Sequence, residues 1–205
     1  AYRISPTDNI IAITGTNGKS TVTSLVSEIV NQAGHKCNLC GNIGTPFTKY
    51  CGDGFNSFCA VEISSFQLEN CYEFKPHISA VLNIAQDHLN RHHSMKNYIN
   101  AKKRILKNQR KTEYTVLNFD CYNTRQFFEN AESEIFWFSG RQKVKGAYIE
   151  NGNIMFCGEK ILHTDELKLI GEHNILNALA AVCFGKILDI KNDDIAKAVS
   201  GFKGI

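Results

Sequence analysis

A glycine-rich loop that carries a lysine and a serine is the feature of this sequence best suited to chemistry. Residues 13–21 read Ile-Thr-Gly-Thr-Asn-Gly-Lys-Ser-Thr, after an apolar stretch and before a helical pattern. In such a strand, loop and helix, backbone N–H groups and the positive helix end face phosphate oxygens. Lys19 would reach the β- and γ-phosphates, and the Ser20 hydroxyl would ligate Mg²⁺. The segment therefore predicts a site for a nucleoside triphosphate.

The loop departs from the usual phosphate-loop spacing at one position. The standard motif has a glycine five residues before Gly18, and this chain has Ile13 there. Only a shorter form that begins at Gly15 remains. Its place between a predicted strand and a predicted helix favours phosphate binding over a chance Gly-Lys-Ser.

Further polar residues lie where an open α/β sheet would bring them to one edge. Glu62 ends an apolar run and could help to hold Mg²⁺, which takes one or two carboxylates in many sites; the alternative is a surface glutamate. Asp87 and His88 follow the next predicted strand and could form a second metal site, or His88 could be structural. Lys102 lies in a basic helix and, taken alone, indicates no more than a solvated lysine.

The elements that must position these residues alternate along the chain. Apolar runs predict strands at 10–14, 37–40, 57–62, 78–84, 114–118 and 135–138. Amphipathic patterns predict helices at 22–33, 95–108, 121–130, 174–188 and 193–200. The alternation predicts an α/β fold, a mostly parallel sheet flanked by helices as in P-loop NTPases.

Residues 146–170 break the alternation. Two apolar runs, 147–150 and 154–156, flank Asn151-Gly152, which is a strong hairpin signal. Residues 167–170 are the predicted third strand. We therefore expect a small antiparallel sub-sheet attached to the main sheet.

Composition limits the class of protein. The chain has 205 residues, of which 43% are hydrophobic and 21% charged, and its net charge is +3. This is ordinary globular composition, too weakly basic to indicate nucleic acid or a membrane as partner. No apolar run is long enough for a bilayer span, and the first residues lack a signal core. Both ends favour a domain cut from a longer cytoplasmic protein.

Eight cysteines are present, but their spacing is not that of a zinc site. Only Cys37 and Cys40 form a C-x₂-C pair, and no second pair completes it. Cys59 and Cys183 lie in apolar runs and indicate core packing. Reduced thiols are favoured over metal ligands or disulfides.

Taken together, these segments resemble the central ATPase domain of the Mur ligases, the ATP-dependent amide-forming enzymes of peptidoglycan synthesis. The shortened phosphate loop of that family accounts for the missing glycine. The resemblance covers essentially the whole chain. Within the family, three stretches resemble the member that adds D-glutamate to UDP-N-acetylmuramoyl-L-alanine: residues 41–44, residues 62–69, and Leu82-Asn83 with Asp87-His88. The third stretch alone is shared with sister ligases. Residues 171–178 resemble the family's adenine-side segment.

The resemblance implies a role for each matching residue. It implies that ATP is bound by Gly15, Thr16, Asn17, Gly18, Lys19, Ser20, Thr21, Asn174 and Asn177. It implies Mg²⁺ ligation by Ser20, Glu62, His88 and Lys102, the last as a carbamate, because an ammonium would repel the ion that a carbamate oxygen can ligate. Lys103 is the neighbouring alternative to Lys102. The implied catalytic residues are Lys19, His88 and Lys102, and Asn42 and Ser64 are implied contacts of the muramoyl substrate.

The implied reaction is an ADP-forming acid–D-amino-acid ligation through an acyl phosphate. The resemblance also implies that an N-terminal uridine-binding domain and a C-terminal domain belong to the complete enzyme, which we expect to be a monomer. The 205 residues alone are expected to bind Mg·ATP weakly without ligating.

Two other classes remain open. A sister Mur ligase or a folate polyglutamate ligase would share much of the pattern, although Ser-Ser-Phe-Gln-Leu at 64–68 argues against them. A non-catalytic nucleotide-binding module would need only the loop. A GTPase switch is disfavoured, because no Asn-Lys-x-Asp run occurs in the chain.

Overall fold

The structure is a computed structural model of the chain. It describes residues 2–5, 9–50, 57–127, 129, 131–169 and 171–205. Within these ranges, no helix combines the length and the apolar character needed to cross a membrane.

One nine-stranded sheet organises the molecule, in the order β2-β3-β1-β4-β5-β6-β7-β8-β9. Strands β1 to β7 pair in parallel, whereas β8 and β9 are antiparallel to their neighbours. The strands are β1 Ile10–Thr14, β2 Cys37–Gly41, β3 Phe58–Glu62, β4 Ile78–Val81, β5 Tyr114–Asn118, β6 Glu134–Ser139, β7 Gly146–Glu150, β8 Asn153–Phe156 and β9 Glu159–His163.

Helices cover both faces of this sheet. They are α1 Lys19–Gln32, α2 Ser65–Glu69, α3 Leu89–His92, α4 Met95–Lys103, α5 Tyr122–Arg125, α6 Glu172–Ile187 and α7 Asn192–Gly201. Short 3₁₀ turns occur at Tyr2–Ile4, Phe47–Tyr50, Arg104–Leu106 and Thr164–Glu166.

The central strand β1 shows why the sheet has two cores. All five of its residues are buried, as expected for a parallel strand covered on both faces. Because side chains alternate along a strand, Ile11 and Ile13 join the core formed with α1, α6 and α7. Ile10 and Ala12 join the opposite core, with side chains from α2 and α4.

The carboxyl end of β1 is the natural place for a ligand. From β1 the chain moves outward to β2, then returns through β3 to β4 on the other side of β1. Open α/β sheets bind ligands in the crevice at such a switch point. The loop before α1 and the residues after β3 and β4 all lie at this edge.

The predicted third antiparallel strand at 167–170 is wrong. The third strand is β9, which pairs with β8 after a tight turn in which Cys157 and Gly158 both have positive φ, 48° and 96°. The exposed polar residues that begin β9 concealed it in the sequence. Residues 167–169 form no strand, and Ile170 lies outside the described residues.

The antiparallel strands belong to the main sheet and do not form a separate one. Strand β7 pairs in parallel with β6 and antiparallel with β8, so it joins the two parts edge to edge. The predicted hairpin around Asn151-Gly152 is confirmed. Both of these turn residues have positive φ, as a type I′ hairpin requires.

Several element boundaries differ from the prediction. The strand predicted at 78–84 ends at Val81, because the next residues turn toward the phosphate loop. The helix predicted at 95–108 is α-helical only to Lys103 and continues as a 3₁₀ turn. The helix predicted at 121–130 is reduced to α5, and Phe128 and Asn130 lie outside the described residues.

The cysteines that the structure describes are free thiols. Cys37, Cys40, Cys59 and Cys183 are buried in the two cores or beside them. Burial raises the pKa of the Cys37 thiol to about 11, which keeps it protonated and inert at neutral pH. Cys51 lies outside the described residues.

Candidate functional site

The phosphate loop is held in place by an asparagine that follows the neighbouring strand β4. The Asn83 side-chain oxygen accepts hydrogen bonds from the backbone N–H groups of Thr16 (3.1 Å) and Asn17 (2.8 Å). Its amide nitrogen donates to the Asn17 carbonyl at 3.0 Å. An amide can both donate and accept, so one side chain holds the backbone of two consecutive loop residues. Of the predicted ATP-binding residues, Gly15 to Gly18 therefore form one preorganised loop, and Lys19, Ser20 and Thr21 form the first turn of α1.

Lys19 folds back over this loop. Its ammonium donates to the Thr16 carbonyl at 2.8 Å, at the first turn of α1. The residue before the helix, Gly18, is its N-cap and has φ 81°. A glycine tolerates this left-handed conformation, which brings the backbone N–H groups of the helix start toward the loop.

A buried carboxylate faces the start of α1. Glu62, at the end of β3, is only 2% exposed. One carboxylate oxygen accepts from the Ser20 hydroxyl at 2.6 Å, and the other accepts from the Asn42 side-chain amide at 2.8 Å. Both of these partners are neutral. Three residues predicted from the sequence thus meet in one place, and a buried carboxylate with neutral partners is chemically suited to a cation.

Lys102 is buried beside the phosphate loop and is not a solvated lysine. The residue is 2% exposed, and its ammonium donates to the Gly15 carbonyl at 2.8 Å and to the Thr14 hydroxyl at 3.3 Å. Burial, with a smaller contribution from the charge of Lys19, lowers the pKa of this amine to about 7, and Asp87 opposes the shift. A large fraction of Lys102 is therefore the neutral, nucleophilic amine at physiological pH.

The neighbouring Lys103 lies in a different environment. Its ammonium is 5.6 Å from the centre of the Phe127 ring. Consecutive residues of a helix point about 100° apart, so only one of the two lysines can face the loop. The side chain that does so is Lys102, the residue to which the resemblance assigns a role.

Replacing Lys102 by methionine should change how stability depends on pH. Because the pKa is lowered from 10.5 to about 7, the unfolded chain binds more protons than the folded chain between these values. The unfolding free energy of the wild type should therefore rise with pH in this window relative to Lys102→Met, by at most about 1.4 kcal/mol per pH unit. Below pH 7 the variant should be the more stable protein. Urea unfolding from pH 6 to pH 10 measures this, and a stability difference that is constant with pH would contradict it.

His88 lies at the same edge of the sheet, but among the residues that the structure describes its ring contacts Asp87 and Phe66, and not Glu62, Ser20 or Lys102. Its ring is 3.4 Å from the Asp87 carboxylate and 4.9 Å from the centre of the Phe66 ring. It is the N-cap of α3 with φ 51°, a strained conformation for a residue other than glycine. Of the predicted metal ligands, the structure thus joins Ser20 and Glu62 directly and leaves His88 separate.

Within the described residues, no three His, Cys, Asp or Glu side chains come together as a metal cluster. A site that uses Ser20, Glu62 and phosphate oxygens does not need such a cluster, since Mg²⁺ is commonly held by one carboxylate together with phosphate and water.

Ser64 has a structural role in the fold. It is the N-cap of α2: its hydroxyl accepts from the Gln67 backbone N–H at 3.3 Å, and the Gln67 side chain accepts from the Ser64 N–H at 2.8 Å. This reciprocal capping satisfies two backbone donors at the helix start. The predicted contact of Ser64 with substrate would have to share a hydroxyl that already caps the helix.

The two predicted adenine-side asparagines lie against the phosphate loop. Asn177 donates to the Asn174 side-chain oxygen at 3.3 Å, one helical turn away on α6. A cavity of about 400 Å³ opens between this turn and the loop. It is lined by Asn17, Gly18, Thr21, Leu82, Asn83, Asn118, Phe138, His173, Asn174, Leu176 and Asn177.

Replacing Gly18 by alanine should weaken ATP binding through Asn177. A Cβ atom at Gly18 would lie 2.4 Å from the Asn177 side-chain oxygen, and φ there is +81°. Gly34 is a matched control, because it has φ +82° and nothing within 4 Å of its Cβ position. Both alanines should destabilise the chain by about 1 kcal/mol through backbone strain. Only Gly18→Ala should also lower ATP affinity in a calorimetric titration, and equal affinities would contradict the arrangement.

Three residues of the site had no role in the sequence prediction. The sequence indicates Asn83 only as part of a resembling stretch, although a polar residue just after a strand is itself a signal for a site residue. Tyr98 donates to or accepts from the Thr16 hydroxyl at 3.1 Å, and its ring lies 4.8 Å from the Lys102 ammonium. Its spacing of four residues from Lys102 places both on one helix face. The third is His92, which is buried between α2 and α4.

Known proteins resemble this chain in sequence over its whole length. A family model described as the Mur ligase middle domain matches residues 13–185. The chain is 44% identical to UDP-N-acetylmuramoylalanine--D-glutamate ligase of Caldanaerobacter subterraneus, over 100% of the chain and 46% of that protein. It is 39% identical to the protein of the same name from Clostridioides difficile, over 100% of the chain and 47% of that protein. The chain therefore spans about half the length of these curated relatives.

Solved structures share the fold. The chain superimposes with a TM-score of 0.81 on a UDP-N-acetylmuramoyl-L-alanyl-D-glutamate 2,6-diaminopimelate ligase, at 23% identity, over 96% of this chain and 47% of the other. It superimposes with a TM-score of 0.76 on MurF from Acinetobacter baumannii, at 20% identity, over 99% of this chain and 48% of the other.

Proposed function

The chain belongs to the Mur ligase middle-domain family, and from this premise we propose that it is the ATP-binding part of an ADP-forming ligase that adds D-glutamate to UDP-N-acetylmuramoyl-L-alanine. The observation that carries the proposal is the meeting of Ser20, Glu62 and Asn42 beside a preorganised phosphate loop, with Lys102 buried on its other side. The relatives named above support D-glutamate as the amino acid that is added.

The side chains around Glu62 are chemically suited to bind a magnesium ion. The carboxylate is buried, and it has a hydroxyl and an amide as partners where a structural glutamate would commonly have a cation. We propose that Ser20 and Glu62 hold Mg²⁺ together with ATP phosphate oxygens. When bound, the ion would neutralise charge on the triphosphate.

Lys102 fits a role as a carbamate. The reaction of an amine with carbon dioxide needs the neutral amine, and the pKa of about 7 provides it. The amine nitrogen would bond to the carbon of carbon dioxide and release a proton to water, and the oxygens of the resulting carbamate could ligate a second Mg²⁺, with His88 as a further ligand at the same edge. The modification removes the positive charge of a buried amine that has Lys19 as a neighbour.

The proposed reaction has two steps, and the chain's own groups serve mainly the first. The alanyl carboxylate attacks the γ-phosphorus of ATP, so that an acyl phosphate forms and ADP leaves. Lys19 and the backbone N–H groups of the loop stabilise the negative charge that develops on the phosphoryl oxygens. The unprotonated amine of D-glutamate then attacks the acyl carbon, and phosphate leaves as the amide forms.

On this proposal the chain is the central domain of a three-domain, monomeric, cytoplasmic enzyme. Asn42 and Ser64 would contact the muramoyl substrate, and Asn174 and Asn177 would pair with adenine, whose edge presents a donor and an acceptor. The 205 residues alone would bind Mg·ATP and would not ligate.

Phosphate release by the full-length ligase tests the proposal. With Mg·ATP and UDP-N-acetylmuramoyl-L-alanine, release should depend on D-glutamate and not on L-glutamate, L-lysine or diaminopimelate. Release with another of these amino acids would instead assign the chain to a sister ligase. If none of the amino acids gives phosphate release, the protein would be an ATP-binding module without ligase activity.

A further inference from the structure

We propose that His92 is a positioning residue, whose imidazole ring holds helix α2 in a fixed place relative to the phosphate loop. Helix α2 follows Glu62, and the loop precedes α1, so the ring would set the distance between the substrate side and the nucleotide side of the site. The inference rests on the proposed ligase function and adds to it a residue that no part of the proposed chemistry uses.

The ring bridges both ends of α2. His92 is the last residue of α3 and is 4% exposed. Its Nε2 atom is 2.9 Å from the Ser65 hydroxyl, and its Nδ1 atom is 3.1 Å from the Glu69 carboxylate. Ser65 and Glu69 are the first and last residues of α2. A helix of five residues has little stability of its own, so its position depends on such tertiary contacts.

The contact with Glu69 determines which nitrogen of the neutral ring carries the proton. A carboxylate only accepts hydrogen bonds, so Nδ1 must carry the proton that is donated to Glu69. In the neutral ring Nε2 then accepts from the Ser65 hydroxyl. Arg91 donates to the other carboxylate oxygen of Glu69 at 3.1 Å, which fixes the acceptor as well. The tautomer and the orientation of His92 are therefore both determined.

The faces of the same ring reach both sides of the site. The Phe66 ring stacks on His92 with centres 5.5 Å apart, and Phe66 in turn contacts His88 at 4.9 Å. The Tyr98 ring lies 5.1 Å from His92, and the Tyr98 hydroxyl is 3.1 Å from that of Thr16 in the phosphate loop. A chain of direct contacts thus runs from Phe66 on α2 through His92 and Tyr98 to the phosphate loop.

The Ser65, His92 and Glu69 side chains also have the connectivity of a hydrolytic triad, but burial argues against that use. Ser65 is 2% exposed, so a substrate carbonyl has no access to its hydroxyl. A nucleophile must be reachable as well as activated. The arrangement therefore orients helix α2 and does not attack a substrate.

The test uses the full-length ligase and its KM values. His92→Phe keeps the aromatic contacts and loses both hydrogen bonds; it should raise KM for the muramoyl substrate about tenfold and lower kcat/KM about a hundredfold. KM for ATP should change less than about threefold, since Asn83 holds the loop independently. A loss of folded enzyme would lower the measured rate but would not raise KM, so a raised KM reports a change in the site. Glu69→Gln keeps an acceptor for Nδ1 and should retain activity, whereas Glu69→Ala should behave like His92→Phe.

His35→Phe is the matched control, because this histidine is exposed at the far end of α1. Unchanged KM values in a folded His92→Phe enzyme would overturn the inference and leave the ligase function intact, whereas an inactive wild type would overturn that function. If His92→Phe does not fold, ¹⁵N NMR spectroscopy of the wild-type chain tests the inference through the position of the proton on the His92 ring. A ring with the proton on Nδ1 supports the inference, and a proton on Nε2 or a mixture of tautomers overturns it.

Discussion

Replacing Lys102 by alanine in the full-length ligase should reduce ligation by roughly a thousandfold, because the change removes the amine that would carry the carbamate beside the phosphate loop. Lys103→Ala is the matched control. Its ammonium lies on the Phe127 ring, so its loss should leave the rate within about twofold. Initial rates of phosphate release at saturating substrates measure both variants.

Varying the concentration of dissolved carbon dioxide provides a second test of the role of Lys102. If Lys102 acts as a carbamate, removal of dissolved bicarbonate should lower the wild-type rate and its restoration should recover it. Lys102→Ala should not respond in either direction. Equal losses in Lys102→Ala and Lys103→Ala, or full activity of the former, would contradict the role that the geometry supports.

Replacing Glu62 by glutamine should reduce ligation by roughly a hundredfold or more, the range found when one group that stabilises transition-state charge is removed. Glutamine has nearly the same size and can still accept from Ser20, so the change removes mainly the negative charge. The loss should be partly relieved by a higher Mg²⁺ concentration. Phosphate release as a function of free Mg²⁺ measures this effect.

Glu134→Gln is the control for charge alone. This carboxylate is exposed and pairs with Lys145 at 2.7 Å, far along the sheet at β6. Its replacement should leave both the rate and the Mg²⁺ dependence unchanged. An identical Mg²⁺ dependence in Glu62→Gln and the wild type would show that Glu62 is not a magnesium ligand.

The parts of the fold that the sequence predicted are those with a local signal. Strand β1 and strand β5 have the predicted bounds, because each is a short apolar run that ends at polar residues. Strand β9 was missed for the opposite reason, since its first two residues are charged and exposed at the edge of the sheet. Its pairing depends on the turn at Cys157 and Gly158, where a cysteine adopts positive φ against its usual preference.

The residues of the candidate site also fall into two groups, those with a local sequence signal and those whose roles depend on tertiary contacts. The phosphate loop and Glu62 could be predicted because residue type, spacing and a strand end coincide in one segment. The roles of Asn83 and Tyr98 could not, because each contacts Thr16 across more than sixty residues of chain. Lys102 is an intermediate case: the resemblance indicated it, but its burial and lowered pKa come from tertiary packing.

Short elements gave the least sequence signal and carry much of the site. Helix α2 and helix α3 have five and four residues, too few for a helical periodicity to be recognised. They nevertheless hold Phe66, His88 and His92 in place through capping and side-chain contacts. Functional positions of this kind become visible only when the packing around them is known.

Titration of the 205-residue chain with nucleotides tests most directly whether the loop, Glu62 and the α6 asparagines form one Mg·ATP site. We expect binding at one site that is tighter for ATP than for GTP or tripolyphosphate, and that weakens when Mg²⁺ is removed. Preference for ATP would come from Asn174 and Asn177, and dependence on Mg²⁺ from Glu62 and Ser20. Absence of binding, or equal affinity for the three ligands with and without Mg²⁺, would contradict the assignment of this edge of the sheet as the ATP site.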